Sequence, residues 1–505
     1  MDEEIEALNK NQIWELVPKP ENCKPVTCKW VYCLKRKSDG TVDRCKAWLV
    51  ARGFSQSYGL DYEEMYSPVA KMVTLRIIFS LAAMKTWKAW QLDVKNAFLY
   101  GELDREVFME QPVGYVSEQH PHHVCHLKKA LYGLKQAPRA WYGKVVQFLI
   151  FCGFRVSEAD SSLFIKLESN AHLLVLLYVD DMIITGNNEA EISMLKNELS
   201  VRFEMKNLGE VGCFLGLEIK RLNQGYFNCQ HRYANQVLQL FNMGESREKS
   251  TPMEKCLKLK KDEGELLKDV RKFKQLVGSL IYLTITRPEI SYAVGVVSQF
   301  MQAPRTLHLD AAKRILRYIK GTNDFGLFYN KGNDFSLQGY ADTDWDGSIE
   351  DCRSTSEYCF SFGSAAISWC SKKQPIVTFS STEVEYIAAT MAAQGCVWLK
   401  LLMKDIHCAV YSPVQIYCDN QSAVKLTSNP VFHARTKHIK VRHHFIREKV
   451  LDQEIALERI TSNQQIADIF TKALGKPEFE RFRAALGVVN PEYALRGAVK
   501  NSASQ

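Results

Sequence analysis

Two stretches of the chain place short polar turns between apolar runs, a pattern that predicts β-hairpins. The first covers residues 29–53 and turns at Ser38-Asp39-Gly40, since Asp-Gly between β-rich runs is the commonest short hairpin signal. The second covers residues 173–185, where apolar runs of strand length flank Asp180-Asp181. Apolar runs of this kind indicate strands of a buried sheet, so the second turn is predicted to hold two carboxylates at the edge of a core.

Helical periodicity follows the second hairpin. Between Ile192 and Phe203 the apolar residues recur every three or four positions, which predicts a helix over residues 189–203. Residues 251–265 are polar and Lys-rich and indicate a connector, and helical segments that include residues 311–320 come after it.

The pattern changes again after Gly332-Asn333-Asp334, and a domain boundary is expected near Gly332. Strands, a long helix and a further strand together predict an α/β unit of domain size. The predicted strands are Leu337 to Ala341, Tyr358 to Phe362, Ala366 to Cys370 and Val414 to Cys418, and the helix runs from Thr382 to about Asp405.

Composition narrows the class of protein. The 505 residues suggest about two to four domains, and 46% hydrophobic with 24% charged residues excludes disordered, collagen-like and coiled-coil chains. A net charge of +8 permits nucleic acid as a partner without proving it. The longest aliphatic run near the middle, Leu173 to Val179, is far shorter than the ~20 apolar residues of a bilayer span, so no membrane contact is expected.

Cysteine usage and the N-terminus bear on the compartment. The 15 cysteines are odd in number and never spaced C-x-x-C, so most should be free thiols. The start, Met1-Asp2-Glu3-Glu4, lacks the features of a secretion signal, and a cytoplasmic or nuclear location is expected. The run His120-Pro121-His122-His123-Val124-Cys125-His126 holds zinc-binding residue types, but its spacing fits no zinc finger and an ordinary strand is favoured.

Asp93, which follows the strand-like run Trp90-Gln91-Leu92, is the third carboxylate of interest beside Asp180 and Asp181. Carboxylates on adjacent strand ends can hold two Mg²⁺ ions and carry out phosphoryl transfer. By themselves, however, the two consecutive aspartates fit an ordinary turn equally well, because Asp is common in turns.

Longer motifs resolve this ambiguity. From Glu3 to about Gly487 the chain resembles the Pol polyproteins of copia-type LTR retrotransposons, and Tyr178-Val179-Asp180-Asp181 matches the Y-x-D-D hairpin of reverse transcriptases. The motifs that carry the resemblance are Cys28-Lys29-Trp30-Val31, Leu49-Val50-Ala51-Arg52-Gly53, Leu92-Asp93-Val94-Lys95-Asn96-Ala97-Phe98-Leu99, Leu131-Tyr132-Gly133-Leu134-Lys135-Gln136-Ala137-Pro138-Arg139 and Ser381-Thr382-Glu383.

The resemblance implies roles for individual residues. Asp93, Asp180 and Asp181 would be the metal-binding polymerase carboxylates, and Phe98 would exclude a ribose 2′-hydroxyl. The first hairpin would be the fingers, with Lys46 as the best triphosphate contact and Arg52 nearby; an exposed basic strand edge is the ordinary alternative. The loop that contains Gly133, Lys135 and Gln136 would lie beside the incoming base pair, although a plain loop-to-helix junction fits it too.

A second set of carboxylates resembles the D-E-D-D ligands of ribonuclease H. In order they are Asp342, Glu383, Asp419 and Asp468, which would hold two Mg²⁺ ions against an RNA phosphodiester. Each also has an ordinary explanation: Ser380-x-x-Glu383 is a capping box, Asp419 could cap a helix, and Asp468 could face water. Asp344, Asp346 and Glu385 are close enough in sequence to confuse the assignment.

Four positions depart from the family pattern. Trp48 and Cys352 each replace a usual arginine, Glu357 a usual glycine, and Lys440 a usual acidic residue. Glu357 matters most, because a glycine position often needs positive φ or close backbone approach. The chain also lacks a protease D-[ST]-G triplet and an H-H-C-C integrase module, so an N-terminally truncated element, or a gene model of one, is expected.

The predicted fold is α+β and α/β multidomain. Residues 1–250 would form the fingers and palm of a polymerase with the right-hand fold, and residues 251–332 would form its thumb and connection. Residues 333–490 would form a ribonuclease H-like domain, and residues 491–505 a flexible tail. The expected function is RNA-directed DNA polymerase with linked ribonuclease H, with two Mg²⁺ ions in each active site and Mn²⁺ as the alternative metal. RNA template, DNA primer, RNA/DNA hybrid and dNTPs are the expected partners, and the alternative is a catalytically decayed protein that at most binds nucleic acid.

Overall fold

The computed structural model describes residues 1–21, 23–36, 41–255, 257–332, 335–344, 353–374, 377, 380–428 and 440–492. The α-helices, in chain order, are α1 (Asp2–Lys10), α2 (Met72–Lys85), α3 (Ala137–Phe151), α4 (Glu189–Phe203), α5 (His231–Leu240), α6 (Val270–Leu283), α7 (Ser291–Ser298), α8 (Thr306–Gly321), α9 (Ser381–Asp405), α10 (Gln421–Ser428), α11 (Lys440–Leu451), α12 (Asp468–Thr471) and α13 (Lys476–Ala485).

The β-strands are β1 (Trp14–Pro18), β2 (Cys28–Arg36), β3 (Val42–Ala51), β4 (Ala89–Val94), β5 (Glu102–Met109), β6 (His123–Lys129), β7 (Arg155–Val156), β8 (Leu163–Glu168), β9 (Ala171–Tyr178), β10 (Asp181–Gly186), β11 (Met205–Glu210), β12 (Cys213–Phe214), β13 (Leu217–Leu222), β14 (Gly225–Cys229), β15 (Gly326–Asn330), β16 (Leu337–Asp344), β17 (Thr355–Phe362), β18 (Ala365–Lys373), β19 (Val414–Cys418), β20 (Ile455–Arg459) and β21 (Val488–Val489).

Contacts divide the chain into two compact units. The first comprises residues 1–70 and 89–210, and the second comprises residues 71–88 and 211–505. This division is coarser than the four predicted segments. It also assigns α2 to the second unit, although the sequence puts that helix inside the first segment.

The first unit is built around a six-stranded antiparallel sheet with strand order β11-β4-β10-β9-β8-β7. Helices α3 and α4 cover it with apolar side chains such as Trp141, Leu149 and Leu195, which pack against Val175 and Met182 of the sheet. A smaller core joins α1, the β2–β3 hairpin and the sheet β1-β6-β5. The histidine-rich run leads into β6, so the favoured interpretation as an ordinary strand is confirmed.

The second unit contains two five-stranded sheets. One has the order β12-β13-β14-β15-β21, and the other has the order β18-β17-β16-β19-β20 with parallel pairing at β16–β19 and β19–β20. Buried Arg76 of α2 donates to the carbonyls of Ile367 and Ile285 at 3.2 and 2.9 Å, and its guanidinium lies over Trp369. Helix α2 is therefore held to the second unit by polar contacts as well as by apolar packing.

Helix α9 is long and apolar enough, by length and composition, to cross a membrane. Most of its apolar stretch is buried inside the second unit, which is also typical of a core helix. Burial of these side chains in the second unit accounts for the apolar composition of α9.

Both predicted hairpins are confirmed as strand pairs β2–β3 and β9–β10, and the predicted helix over residues 189–203 is α4. The predicted turn at Ser38-Asp39-Gly40 lies outside the described residues, as do Asp346, Cys352 and most of the predicted tail. The apolar helix α2 was missed, because side chains buried on all sides leave no amphipathic pattern to detect.

Candidate active sites

Three carboxylates lie together at the ends of two adjacent central strands of the six-stranded sheet. Asp93 of β4 and Asp181 of β10 are direct partners in the antiparallel ladder, so their side chains lie on the same face. The Val94 amide donates to the Asp180 carbonyl at 3.0 Å, which ties the turn to the end of β4. The structure thus brings together the three aspartates that the sequence singled out.

The turn that carries Asp180 has an uncommon backbone. Tyr178 pairs with Asp181, so Val179 and Asp180 are the two residues between the strands. Val179 has φ 54°, a left-handed conformation that a β-branched residue adopts at a cost of about 1 to 3 kcal/mol. The Trp141 indole donates to the Val179 carbonyl, a contact that sequence reasoning missed because it joins positions far apart in the chain.

Burial and the charges of neighbouring carboxylates raise the pKa of two aspartates at this site. Desolvation, followed by the Asp180 and Asp93 charges, raises the pKa of Asp181, although a hydrogen bond from Gln91 at 3.2 Å opposes the shift. Desolvation and Asp93 also raise the pKa of Asp180, whereas nearby Lys46 lowers it. Neighbouring carboxylates repel one another when both are ionised, and a bound cation would offset this repulsion.

The β2–β3 hairpin supplies a cation to this group, since Lys46 lies close enough to lower the pKa of Asp180. The Lys46 ammonium lies 4.7 Å from the centre of the Trp48 ring, two residues along β3 and on the same face. Trp48, which departs from the family pattern, therefore contacts the residue predicted to bind triphosphate. Arg52 follows β3 with an exposed side chain, and its amide donates to the Thr27 carbonyl at 2.7 Å.

Gly133 is fixed by a close crossing of two backbones. It has φ 91°, and a Cβ there would lie 2.0 Å from the Ala51 carbonyl oxygen. The Ala51 amide donates to the Tyr132 carbonyl at 2.7 Å, which joins the end of the fingers hairpin to the loop before α3. This packing requires glycine whether or not the position contacts substrate.

Lys135 and Gln136 engage the loop over residues 56–62. The Lys135 ammonium donates to the Gln56 carbonyl and the Tyr62 hydroxyl at 3.0 and 3.1 Å. Gln136 is buried, donates to the Asp61 carbonyl and accepts from the Gln56 amide, both at 3.1 Å. The contacts seen for both side chains are internal to the protein, and their predicted contact with a base pair stays a prediction.

Phe98 lies in a 3₁₀ turn, Ala97–Tyr100, directly after the strand that carries Asp93. Its ring packs edge-on against Tyr132 with centroids 5.0 Å apart. Burial raises the pKa of Tyr132, and Asp180 and Asp93 raise it further, so the Phe98–Tyr132 pair stands close to the carboxylates. Tyr132 is a second residue of this site that the sequence did not identify.

A separate acidic centre lies on the mixed sheet of the second unit. Asp342 of β16 is buried and accepts from the Thr471 hydroxyl at 2.8 Å, and buried Asp468 at the start of α12 pairs with Lys472 at 2.7 Å. Gln465 donates to the Ala341 carbonyl at 2.9 Å and so holds the segment before Asp468 against β16. Burial rules out the alternative that Asp468 simply faces water.

The helix carboxylate of this centre is Glu385 rather than Glu383. Glu385, Cys418 and Asp419 present ligand atoms that all lie within 4.8 Å of one another. Burial and then Asp419 raise the pKa of Glu385 to about 8, while burial, Glu385 and Asp468 raise that of Asp342 well above its usual range. Glu383 is in the first turn of α9, where its amide is capped by Ser380, and its partly exposed side chain belongs to a different part of the helix surface.

Glu357 brings a fifth carboxylate to the centre. It is 1% exposed and lies on β17 directly opposite Asp342. The expectation that this position needs the backbone freedom of glycine is wrong, because Glu357 is not among the residues with positive φ and lies in regular strand pairing. Lys440, another departure, begins α11, and only its backbone is described.

The residues of both centres fit divalent metals. Within the part of the chain that the structure describes, Asp468 Oδ1 and Glu357 Oε2 are buried and find no hydrogen-bond donor, a costly state that a cation would relieve. Carboxylate oxygens are the ligands preferred by Mg²⁺ and Ca²⁺. At the first centre the fit rests on three carboxylates that converge on one sheet edge.

Comparisons with known proteins agree with this architecture. Residues 11–255 match a family model described as reverse transcriptase (RNA-dependent DNA polymerase). The chain is 43% identical to the retrovirus-related Pol polyprotein from transposon RE1 of Arabidopsis thaliana over 489 residues, 97% of this chain and 33% of the relative. It is 33% identical to the putative transposon Ty5-1 protein of Saccharomyces cerevisiae over 303 residues, 59% of this chain and 98% of the relative.

The chain is also similar in fold to a solved structure that covers most of its length. The foamy viral protease-reverse transcriptase, in complex with RNA/DNA hybrid, aligns with 91% of this chain and 52% of its own, with a TM-score of 0.52 and 12% identity. At that identity the likeness shows the fold, a mixed α/β multidomain architecture. The chain spans about a third of the length of the first curated relatives.

Proposed function

Since this chain belongs to the family of copia-type retrotransposon Pol polyproteins and carries its reverse transcriptase domain, we propose that it is an RNA-directed DNA polymerase with a linked ribonuclease H. It copies a primed RNA template and then cleaves the RNA of the hybrid, in the cytoplasm or the nucleus. The observation that carries the proposal is the presence of two carboxylate centres on different sheets, one at Asp93, Asp180 and Asp181 and one around Asp342.

In the polymerase centre, Asp93, Asp180 and Asp181 would hold the metals. The pairing of β4 with β10 and the tight turn orient their oxygens toward one point. Lys46 lies close enough to lower the pKa of Asp180, and its ammonium would bind the triphosphate of the incoming dNTP. Phe98, braced by Tyr132, occupies the space that a ribose 2′-hydroxyl would need.

In the cleavage centre, Asp342, Glu385, Asp419 and Asp468 would hold the metals. Thr471 fixes Asp342 and Lys472 fixes Asp468, and the Ser462 hydroxyl donates to Asp419 at 3.0 Å. These neighbours hold three of the four carboxylates, and the Cys418 thiol donates to Glu385 at 3.8 Å. At either centre, bound Mg²⁺ or Mn²⁺ would lower the pKa of the attacking hydroxyl or water and stabilise the leaving oxygen.

A protein that has lost its chemistry is the second candidate, and two observations favour it. Trp48 removes a cation from the fingers and contacts Lys46, and Glu357 adds an unpaired buried carboxylate beside Asp342. Against it, every candidate metal ligand of the polymerase centre is present and in register.

Primer extension on an RNA template with dNTPs and Mg²⁺, together with hybrid cleavage by the same preparation, tests the proposal. Asp180→Asn should abolish synthesis and spare cleavage, and Asp468→Asn should do the reverse, because the two centres belong to different units. Undetectable activity of the unmodified chain in both assays would favour the decayed alternative. Synthesis by Asp180→Asn would refute the polymerase assignment.

A further inference from the structure

Glu357 is a buried carboxylate for which the proposed chemistry has no role. Its position directly opposite Asp342 in the β16–β17 ladder places both side chains on the same face of the sheet, with Cβ atoms about 5 Å apart. Burial and the Asp342, Asp344 and Glu385 charges raise the pKa of Glu357, so its side chain lies near these three carboxylates.

The hydrogen bonds of Glu357 are incomplete. The Ser371 hydroxyl donates to Oε1 at 3.0 Å, whereas Oε2 is buried and has no donor among the described residues. A buried carboxylate oxygen without a partner costs free energy that the fold must recover elsewhere. An oxygen in this state can interact with a cation in place of a hydrogen-bond donor.

Charge around the centre is also unbalanced. Asp342, Glu357, Glu385, Asp419 and Asp468 contribute five carboxyl groups, and Lys472 is the ammonium that pairs with Asp468. Within the described part of the chain, no ion pair joins Asp342, Glu357 or Glu385 to a basic side chain. Such a site favours a multiply charged cation that binds many oxygen ligands.

We propose that Glu357 is an additional metal ligand of the cleavage centre and shifts its cation preference toward Ca²⁺. The inference rests on the proposed ribonuclease H function and names a ligand that the four-carboxylate set lacks. Mg²⁺ requires near-ideal octahedral geometry and keeps several waters, whereas Ca²⁺ accepts 6 to 8 oxygen ligands in flexible geometry. A further carboxylate therefore strengthens Ca²⁺ binding more than Mg²⁺ binding.

Calorimetric titration of the full, metal-free chain with CaCl₂ or MgCl₂ tests this inference. Asp180→Asn combined with Asp181→Asn serves as background, because it removes binding at the polymerase centre. On this background, Glu357→Gln should weaken Ca²⁺ binding by about tenfold or more and Mg²⁺ binding by less. Glu383→Gln, a partly exposed glutamate outside the cluster, is the matched control and should leave both affinities unchanged.

Glu357→Gly provides a second variant, since it removes the side chain without creating a buried amide. If Glu357→Gln and Glu357→Gly both fold and keep both affinities within about twofold of the background, Glu357 is not a ligand. Asp342→Asn shows whether such a result contradicts only the role inferred for Glu357 or also the proposed cleavage centre. Binding that is lost in Asp342→Asn but kept in both Glu357 variants refutes only the inference, whereas a background that binds neither cation refutes the cleavage centre as well.

Discussion

The Trp141 indole nitrogen donates to the Val179 carbonyl oxygen at 2.6 Å and so joins α3 to the turn that carries Asp180. Trp141 is 1% exposed, and its ring packs edge-on against Phe203 of α4 with centroids 5.2 Å apart. The turn is strained at Val179, which has φ 54°. A rigid, buried donor on the carbonyl of this same residue holds a turn that would otherwise relax.

Trp141→Phe should therefore lower the rate of DNA synthesis by about tenfold while hybrid cleavage stays unchanged. The ring remains, but the Val179 carbonyl loses its donor and the aspartates lose their fixed orientation. Single-turnover primer extension should show a lower rate constant with little change in dNTP affinity. Trp30→Phe, which removes an indole bond of 3.0 Å to the Val113 carbonyl, is the matched control, and an equal loss in both variants would argue for general destabilisation.

Phe98→Ala should increase the incorporation of rNTPs relative to dNTPs by about tenfold or more, because truncation opens space beside the sugar. The relevant measurement is the ratio of kcat/KM for matched rNTP and dNTP. Tyr132→Phe keeps the edge-on ring contact with Phe98 and should leave the ratio unchanged. An unchanged ratio in Phe98→Ala would make Phe98 a core residue only.

Trp48→Arg should lower the KM for dNTPs and leave hybrid cleavage unaltered. The substitution adds a cation to the fingers and frees the Lys46 ammonium from the ring beneath it. Trp48→Phe retains an aromatic surface and should behave like the unmodified chain. If Trp48→Arg shows the same KM, this departure from the family pattern has no effect on triphosphate binding.

Glu385→Gln should reduce hybrid cleavage by about a hundredfold or more, and Glu383→Gln should not. Only Glu385 lies with Cys418 and Asp419, although both glutamates are on the first turns of α9. Cleavage of a labelled RNA/DNA hybrid measures the effect, and DNA synthesis by the same samples is the internal control. A loss confined to Glu383→Gln would restore the assignment made from the sequence.

Stability of the metal-free chain should fall as pH rises from about 4.5 to about 8. The pKa of Glu385 is raised from its ordinary value of 4.5 to about 8, so in this interval the folded state binds a proton that the unfolded state has released. The folded state is then the more protonated one, and a rise in pH favours unfolding. Thermal melting in EDTA across this range should show a falling Tm, and Glu385→Gln or added Mg²⁺ should flatten the slope.

Local pattern was enough to predict the elements that carry the sites. Apolar runs interrupted by Asp180-Asp181 predict a hairpin at β9–β10, and helical spacing predicts α4, because both signals come from neighbours a few residues apart. The motif around Tyr178 and the family resemblance likewise led to Asp93, which the sheet register then placed opposite Asp181.

The sequence by itself could not decide which side chains of an element meet. Glu383 and Glu385 are two positions apart and so point about 200° apart around α9, and only packing of that helix on the mixed sheet selects Glu385. Glu357 joins the acidic centre because strand pairing sets it opposite Asp342, and Asp468 is buried because Gln465 holds its segment to β16. Sequence determined where strands, helices and carboxylates occur, since that information is local. Tertiary structure decided which carboxylates share a site, since helix rotation and strand register depend on contacts between residues that are distant in the chain.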